Sequence, residues 1–98
     1  MFPYGRHYID DDDINAVVDV LRDGWLTQGP KIDELEEKVA SEVGAKYAVA
    51  VSSATAGLHL ACMASGLIQG DRAMVPPNTF VSTPNAVLYC DAEPVFVD

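Results

Sequence analysis

Five residues constrain the fold more than any others. Tyr47-Ala48-Val49-Ala50-Val51 is a short, nearly all-apolar run, and Ser52-Ser53-Ala54-Thr55 breaks it at once. A run of that length with no polar alternation is the pattern of a strand buried on both faces, which belongs to parallel sheets. Small polar residues directly behind such a strand mark a turn into a helix. Leu58, Leu60, Ala61, Cys62, Met63 and Leu67 leave that helix apolar nearly all round, which predicts deep burial. Ala73-Met74-Val75-Pro76 reads as the next strand. Thr83, with Pro84 at the first helical position, reads as the cap of a further helix through Val87 and Leu88. Pro94 to Val97 reads as the last strand. The order from Tyr47 is therefore β-α-β-α-β, which implies an α/β fold with a parallel sheet.

Two helices precede this unit. Asp10 to Asp13 sit where acids favour a helix start, and Ile14, Val17, Val18 and Leu21 follow as one amphipathic stripe that Gly24 ends. Trp25-Leu26-Thr27-Gln28-Gly29-Pro30 is a loop. Ile32, Leu35, Val39 and Val43 then share a second helical face, with Gly44 in the C-terminal cap position.

The chain has 98 residues, enough for one small domain. Pro94 to Asp98 reads as a strand that has just begun, so the expectation is a single incomplete domain, residues 1–98, the front piece of a longer one. The formal net charge of −9 argues against nucleic acid and anionic membrane surfaces as partners. The absence of a leader-like apolar stretch near Met1, and of any run of membrane-spanning length, points to the cytoplasm. Cys62 and Cys90 have no C-x-x-C spacing and read as reduced, buried thiols.

Two stretches are candidates for chemistry. At Ser52-Ser53-Ala54-Thr55-Ala56-Gly57 a strand gives way to a helix N-terminus. Unpaired N–H groups, small side chains and the helix dipole favour an anion there, with the Ser53 and Thr55 hydroxyls as further donors. The ordinary alternative is that Ser53 or Thr55 simply caps the helix. The second stretch is Pro76-Pro77-Asn78-Thr79-Phe80-Val81-Ser82-Thr83. It leaves the next strand at the same carboxyl edge, where ligands of open α/β sheets bind. Phe80 stands there as a ring able to stack on a flat ligand, or as an ordinary core phenylalanine. His59 reads as a core or subunit-contact histidine. Lys31, Lys38 and Lys46 read as solvated. No metal-ligand spacing, Walker motif or G-x-G-x-x-G is present.

Taken together, three stretches resemble one family. Tyr4-Gly5-Arg6 through Val20-Leu21, followed by Gly24-Trp25-Leu26-Thr27-Gln28-Gly29-Pro30, is similar to the opening of the DegT/DnrJ-type sugar aminotransferases. Ser53-Ala54-Thr55-Ala56-Gly57-Leu58 resembles the family's S-G/A-T-x-A-L turn, and Thr79-Phe80-Val81-Ser82-Thr83 its T-F-V-A-T stretch. The resemblance implies the N-terminal part of the large domain of a fold-type I enzyme that depends on pyridoxal 5'-phosphate. The Ala54 and Thr55 amides, with Ser53, would hold the cofactor phosphate, and Phe80 would stack on the pyridine ring. Tyr4 and Gly24, Trp25, Leu26 and Thr27 would line the sugar-nucleotide pocket. A homodimer with shared active sites is implied as well. The Schiff-base lysine would lie beyond Asp98, so these residues alone would be inactive. The Y-G-R start, the L-T-Q-G-P loop and alanine in S-A-T are similar to the branch that serves pseudaminic acid biosynthesis. That likeness implies amino transfer from glutamate to the 4-keto carbon of a UDP-linked 4-keto-6-deoxy-N-acetylhexosamine. Two alternatives stand beside it: a sugar dehydratase of the same family, and a phosphate-binding α/β module without enzymatic activity.

Overall fold

Asp10 fixes where the first helix starts. Its carboxylate accepts the backbone N–H groups of Asp12 and Asp13, each at 3.1 Å. The Asp13 carboxylate accepts the Asp10 N–H at 3.2 Å, so the two ends close a capping box. Helix α1 then runs Asp11–Asp23 and stops at Gly24, whose φ of 80° few residues other than glycine adopt. Helix α2, Pro30–Val43, opens on a proline that has no N–H to leave unpaired and closes on Gly44 at φ 67°. Both helices match the sequence reading, except that Pro30 belongs to α2 rather than to the loop.

The computed structural model describes residues 5–98. The chain divides into two compact units, one ending at Ala50 and one spanning Val51–Asp98. The second unit contains helix α3 (Ala54–Ala64), strand β1 (Arg72–Val75), helix α4 (Ser82–Leu88) and strand β2 (Glu93–Phe96). β1 and β2 pair in parallel, in register from Arg72 opposite Glu93 to Val75 opposite Phe96. An ion pair between Arg72 and Glu93, at 3.1 Å, sits at the start of this ladder. Both strands thus begin and end one residue earlier than the sequence pattern suggested. α4 is the crossover between them and buries Ser82, Ala86 and Val87. The core of this unit is Val75, Val87 and Ala92, with Cys62, Leu67 and Ala73 packed around it. The fold class is α/β with a parallel sheet, as the sequence implied.

Three local expectations are corrected. Tyr47–Val51 forms no strand. A strand exists through its ladder, and the only ladder among the described residues joins β1 to β2. The Ala50 N–H instead donates to the Glu36 carboxylate at 2.7 Å, and Tyr47 and Val49 are both 75% exposed. The second correction concerns α3, which buries none of its residues. Its apolar girth would need cover on several sides, and among the described residues α4 is the one element packed against it. Third, α4 starts at Ser82 behind Val81, so Pro84 occupies its third position. Proline is tolerated there because first-turn N–H groups have no acceptor inside the helix.

Candidate functional site

The bend after Val51 turns the chain into the N-terminus of α3. Ser53 is extended, with φ −163° and ψ 160°, and its Oγ accepts the Ala56 N–H at 3.2 Å. The Gly57 N–H returns to the Ser53 carbonyl at 3.0 Å. This leaves the Ala54 and Thr55 N–H groups without a partner among the described residues. Ser53 spends only its acceptor on the cap, so its O–H remains able to donate outward. Capping and anion binding are therefore compatible uses of the same serine. No acid lies in the first turn of α3, and Ser53 and Ala54 are exposed. The overall negative charge is thus not concentrated at this bend, and the helix dipole acts there unopposed by the first turn.

Phe80 lies between β1 and α4 and is 74% exposed. Its carbonyl accepts the Thr83 N–H at 3.0 Å, and the Val81 carbonyl accepts the Asn85 N–H at 3.2 Å. The bend and Phe80 thus stand just ahead of α3 and α4, two helices that pack on each other. Phe80 is not buried within residues 5–98.

The Gly24–Thr27 stretch belongs to the first unit. Trp25 folds back on its own loop, its indole N–H donating to the Thr27 carbonyl at 3.1 Å. Gln28 takes a left-handed φ of 50°. Gly29 is buried, and a Cβ there would lie 2.5 Å from the Trp25 carbonyl oxygen. Only glycine fits that approach. Sequence reasoning passed over Gly29, although a glycine between a tryptophan loop and a helix-opening proline was the available signal. Tyr4 lies outside the described residues.

The remaining titratable groups have structural surroundings. His59 meets Tyr89 edge-on, ring centroids 5.3 Å apart. Lys31 pairs with Glu34 at 2.7 Å, and that hydrogen bond holds the Glu34 carboxyl below its ordinary value. The Lys46 ammonium lies 5.0 Å from the Tyr47 ring centre. Lys31, Lys38 and Lys46 are all exposed. Cys62 and Cys90 are free and half-buried. Burial raises the Cys90 thiol, with Cys62 and Asp91 pushing the same way. Among the described residues no group of His, Cys, Asp or Glu gathers to hold a metal ion, and no helix is long and apolar enough to cross a membrane.

Comparison with known proteins yields one family. The model of the DegT/DnrJ/EryC1/StrS aminotransferase family matches residues 7–98. The UDP-4-amino-4-deoxy-L-arabinose–oxoglutarate aminotransferase of Shewanella sediminis is 51% identical over 96 residues, which cover 98% of this chain and 25% of that protein. Among solved structures, a sugar aminotransferase from Streptococcus pneumoniae, in its PLP form, superposes with a TM-score of 0.91 at 35% identity. That match covers 99% of this chain and 25% of the other. NtdA from Bacillus subtilis, with bound cofactor PMP, reaches a TM-score of 0.82 at 33% identity, covering 92% of this chain and 22% of its own. The chain thus spans about a quarter of the length of the relatives it matches.

Proposed function

This chain belongs to the DegT/DnrJ/EryC1/StrS aminotransferase family, and from that premise we propose that it forms the phosphate-binding part of an enzyme that transfers an amino group to a nucleotide-linked keto sugar. The cofactor is pyridoxal 5'-phosphate. One observation carries the reading: the unpaired Ala54 and Thr55 amides at an exposed helix N-terminus, with a free Ser53 hydroxyl proton beside them.

These residues fit a phosphate ester. Two backbone donors and one hydroxyl lie at the positive end of α3, and small side chains leave room for an approach. When bound, the cofactor supplies an electron sink for moving an amino group between donor and acceptor. This chain's residues hold and orient it. Ser53, Ala54 and Thr55 would grip the phosphate, and Phe80 would stack on the pyridine ring. Tyr4 and the Gly24, Trp25, Leu26 and Thr27 loop contact the sugar nucleotide. The catalytic lysine comes from the part of the longer protein that follows Asp98, so residues 1–98 alone have no transferase activity. A homodimer with shared sites and a cytoplasmic location belong to the same proposal.

Glutamate is the proposed amino donor, and the acceptor is the 4-keto carbon of a UDP-linked sugar. Two sugars are in play. The motif likeness favours a 4-keto-6-deoxy-N-acetylhexosamine, whereas the 51% identity to the Shewanella enzyme favours a 4-keto pentose. The deciding experiment gives the full-length enzyme glutamate and each UDP-4-keto sugar, and follows 2-oxoglutarate release and the amino sugar by mass spectrometry. Amination of the hexosamine supports the motif reading, and amination of the pentose alone replaces it. Loss of water from the sugar with no amino product would identify a dehydratase. A full-length protein that binds no cofactor would overturn the whole proposal and leave a phosphate-binding module.

A further inference from the structure

We propose that the hydroxyl pair of Thr79 and Thr83 is a positioning device that presents the Phe80 ring to the cofactor. The proposal rests on the reading that Phe80 stacks on the pyridine ring. The Thr79 and Thr83 Oγ1 atoms are 2.8 Å apart, a full hydrogen bond that spans Phe80. Thr83 is tied a second time, its N–H donating to the Phe80 carbonyl at 3.0 Å. Residues 79 to 83 are thereby closed by one side-chain bond and one backbone bond, and the Phe80 ring projects from the closed segment, 74% exposed.

The start of α4 makes this pair more than a decoration. Val81 stands in the N-cap position with φ −55° and ψ −22° and gives no side-chain cap bond. The ordinary means of fixing a helix start is missing here, so the threonine pair is the side-chain bond that holds the turn. An exposed ring on an unfixed turn samples many orientations and loses that freedom when a ligand arrives. Fixing the turn beforehand lowers that cost, which is the general effect of preorganisation on affinity. Neither threonine needs to touch the ligand for this to operate.

The test measures affinity of the full-length protein for pyridoxamine 5'-phosphate by calorimetry, because that form makes no covalent bond to a lysine. Thr79→Val keeps the shape and removes the hydroxyl. It should weaken binding by about twofold to tenfold, the range of one net hydrogen bond. Thr79→Ser restores the hydroxyl and should recover affinity. The critical variant is the double one. If Thr79 acts through Phe80, adding Thr79→Val to Phe80→Ala should change affinity no further. An equal loss in both backgrounds, or unchanged affinity in Thr79→Val, would overturn the positioning role. Thermal melting of each variant separates a folding defect from a binding one, and Thr83→Val repeats the test from the other partner. Unchanged binding in Phe80→Ala alone would instead remove the stacking reading on which this inference rests.

Discussion

Ser53 caps α3 and, in the function proposed above, also donates to phosphate; one substitution cannot separate these two tasks but two can. Ser53→Ala removes both the acceptor for the Ala56 N–H and the outward hydroxyl proton. It should cost about 1 kcal/mol of stability, the usual worth of a serine cap. Ser53→Gly should cost only a few tenths, since glycine is a tolerable cap. Both variants lose the proposed donor to phosphate, and a hydrogen bond to a charged group is worth about 1.5–3 kcal/mol. Equal losses of pyridoxamine 5'-phosphate affinity, with unequal denaturation midpoints, are the expected pattern. Affinity that follows stability across the pair would show that Ser53 is only a cap. Gly29 tests the other loop. A methyl group there meets the Trp25 carbonyl at 2.5 Å, and backbone atoms cannot step aside cheaply. Gly29→Ala should destabilise the first unit by about 1–3 kcal/mol, as overpacking does, read by denaturant titration of tryptophan fluorescence. Trp25 is the chain's one tryptophan, so the signal reports on that loop alone.

At the scale of elements, α2 carries a pH-dependent tie. The Lys31 ammonium hydrogen-bonds Glu34 one turn on and lowers the Glu34 carboxyl below its ordinary value of about 4.3. A lowered folded-state value means the unfolded chain takes up the proton first as pH falls. The tie is therefore complete at neutral pH and fades as pH drops from about 4.3 through the folded-state value. Carboxyl-carbon NMR should place the Glu34 midpoint low, and Lys31→Ala should raise it. A midpoint indifferent to that change would assign the shift elsewhere. Both groups are well exposed, so the effect on stability is small. Elements with local signals were the legible ones. The α1 boundaries follow from the acids at Asp10 to Asp13 and from Gly24, and the end of α2 from Gly44, because caps act within a few residues; Pro30, read as loop, opens α2. Tyr47–Val51 has the composition of a strand and forms none, since a ladder requires a neighbour that composition does not supply. The start of α4 was misplaced for a related reason. Thr83-Pro84 imitates a cap, while the Thr79 to Thr83 bond, invisible to pattern reading, begins the turn earlier. The bend at Ser53 was legible as a helix N-terminus with unpaired N–H groups, because every helix start leaves them, and the structure leaves those of Ala54 and Thr55 without a partner among the described residues.

Among the described residues, burial is concentrated in the second unit, with only Gly29 and Ala40 buried in the first. Val75, Val87 and Ala92 form a closed cluster, while α1 and α3 bury no residue at all. A 13-residue helix without tertiary cover is marginal in water, even when well capped. α1 nonetheless carries an apolar stripe, with Val17 61% and Leu21 59% exposed. Burying such a side chain is worth about 1.5–3 kcal/mol. If the longer protein proposed above covers the stripe, burying the exposed share of these two side chains would stabilise α1 by about 2–4 kcal/mol. Amide exchange converts that into a rate, because each 1.4 kcal/mol of opening free energy slows exchange about tenfold. The α1 amides of residues 1–98 alone should therefore exchange near the unprotected rate. In the full-length protein they should slow by about thirtyfold or more. Amides of β1, β2 and α4, already packed on Val75 and Val87, should differ far less between the two samples. Equal α1 protection in both would mean that its stripe stays uncovered in the full-length protein, and that the exposed apolar face serves no packing role there.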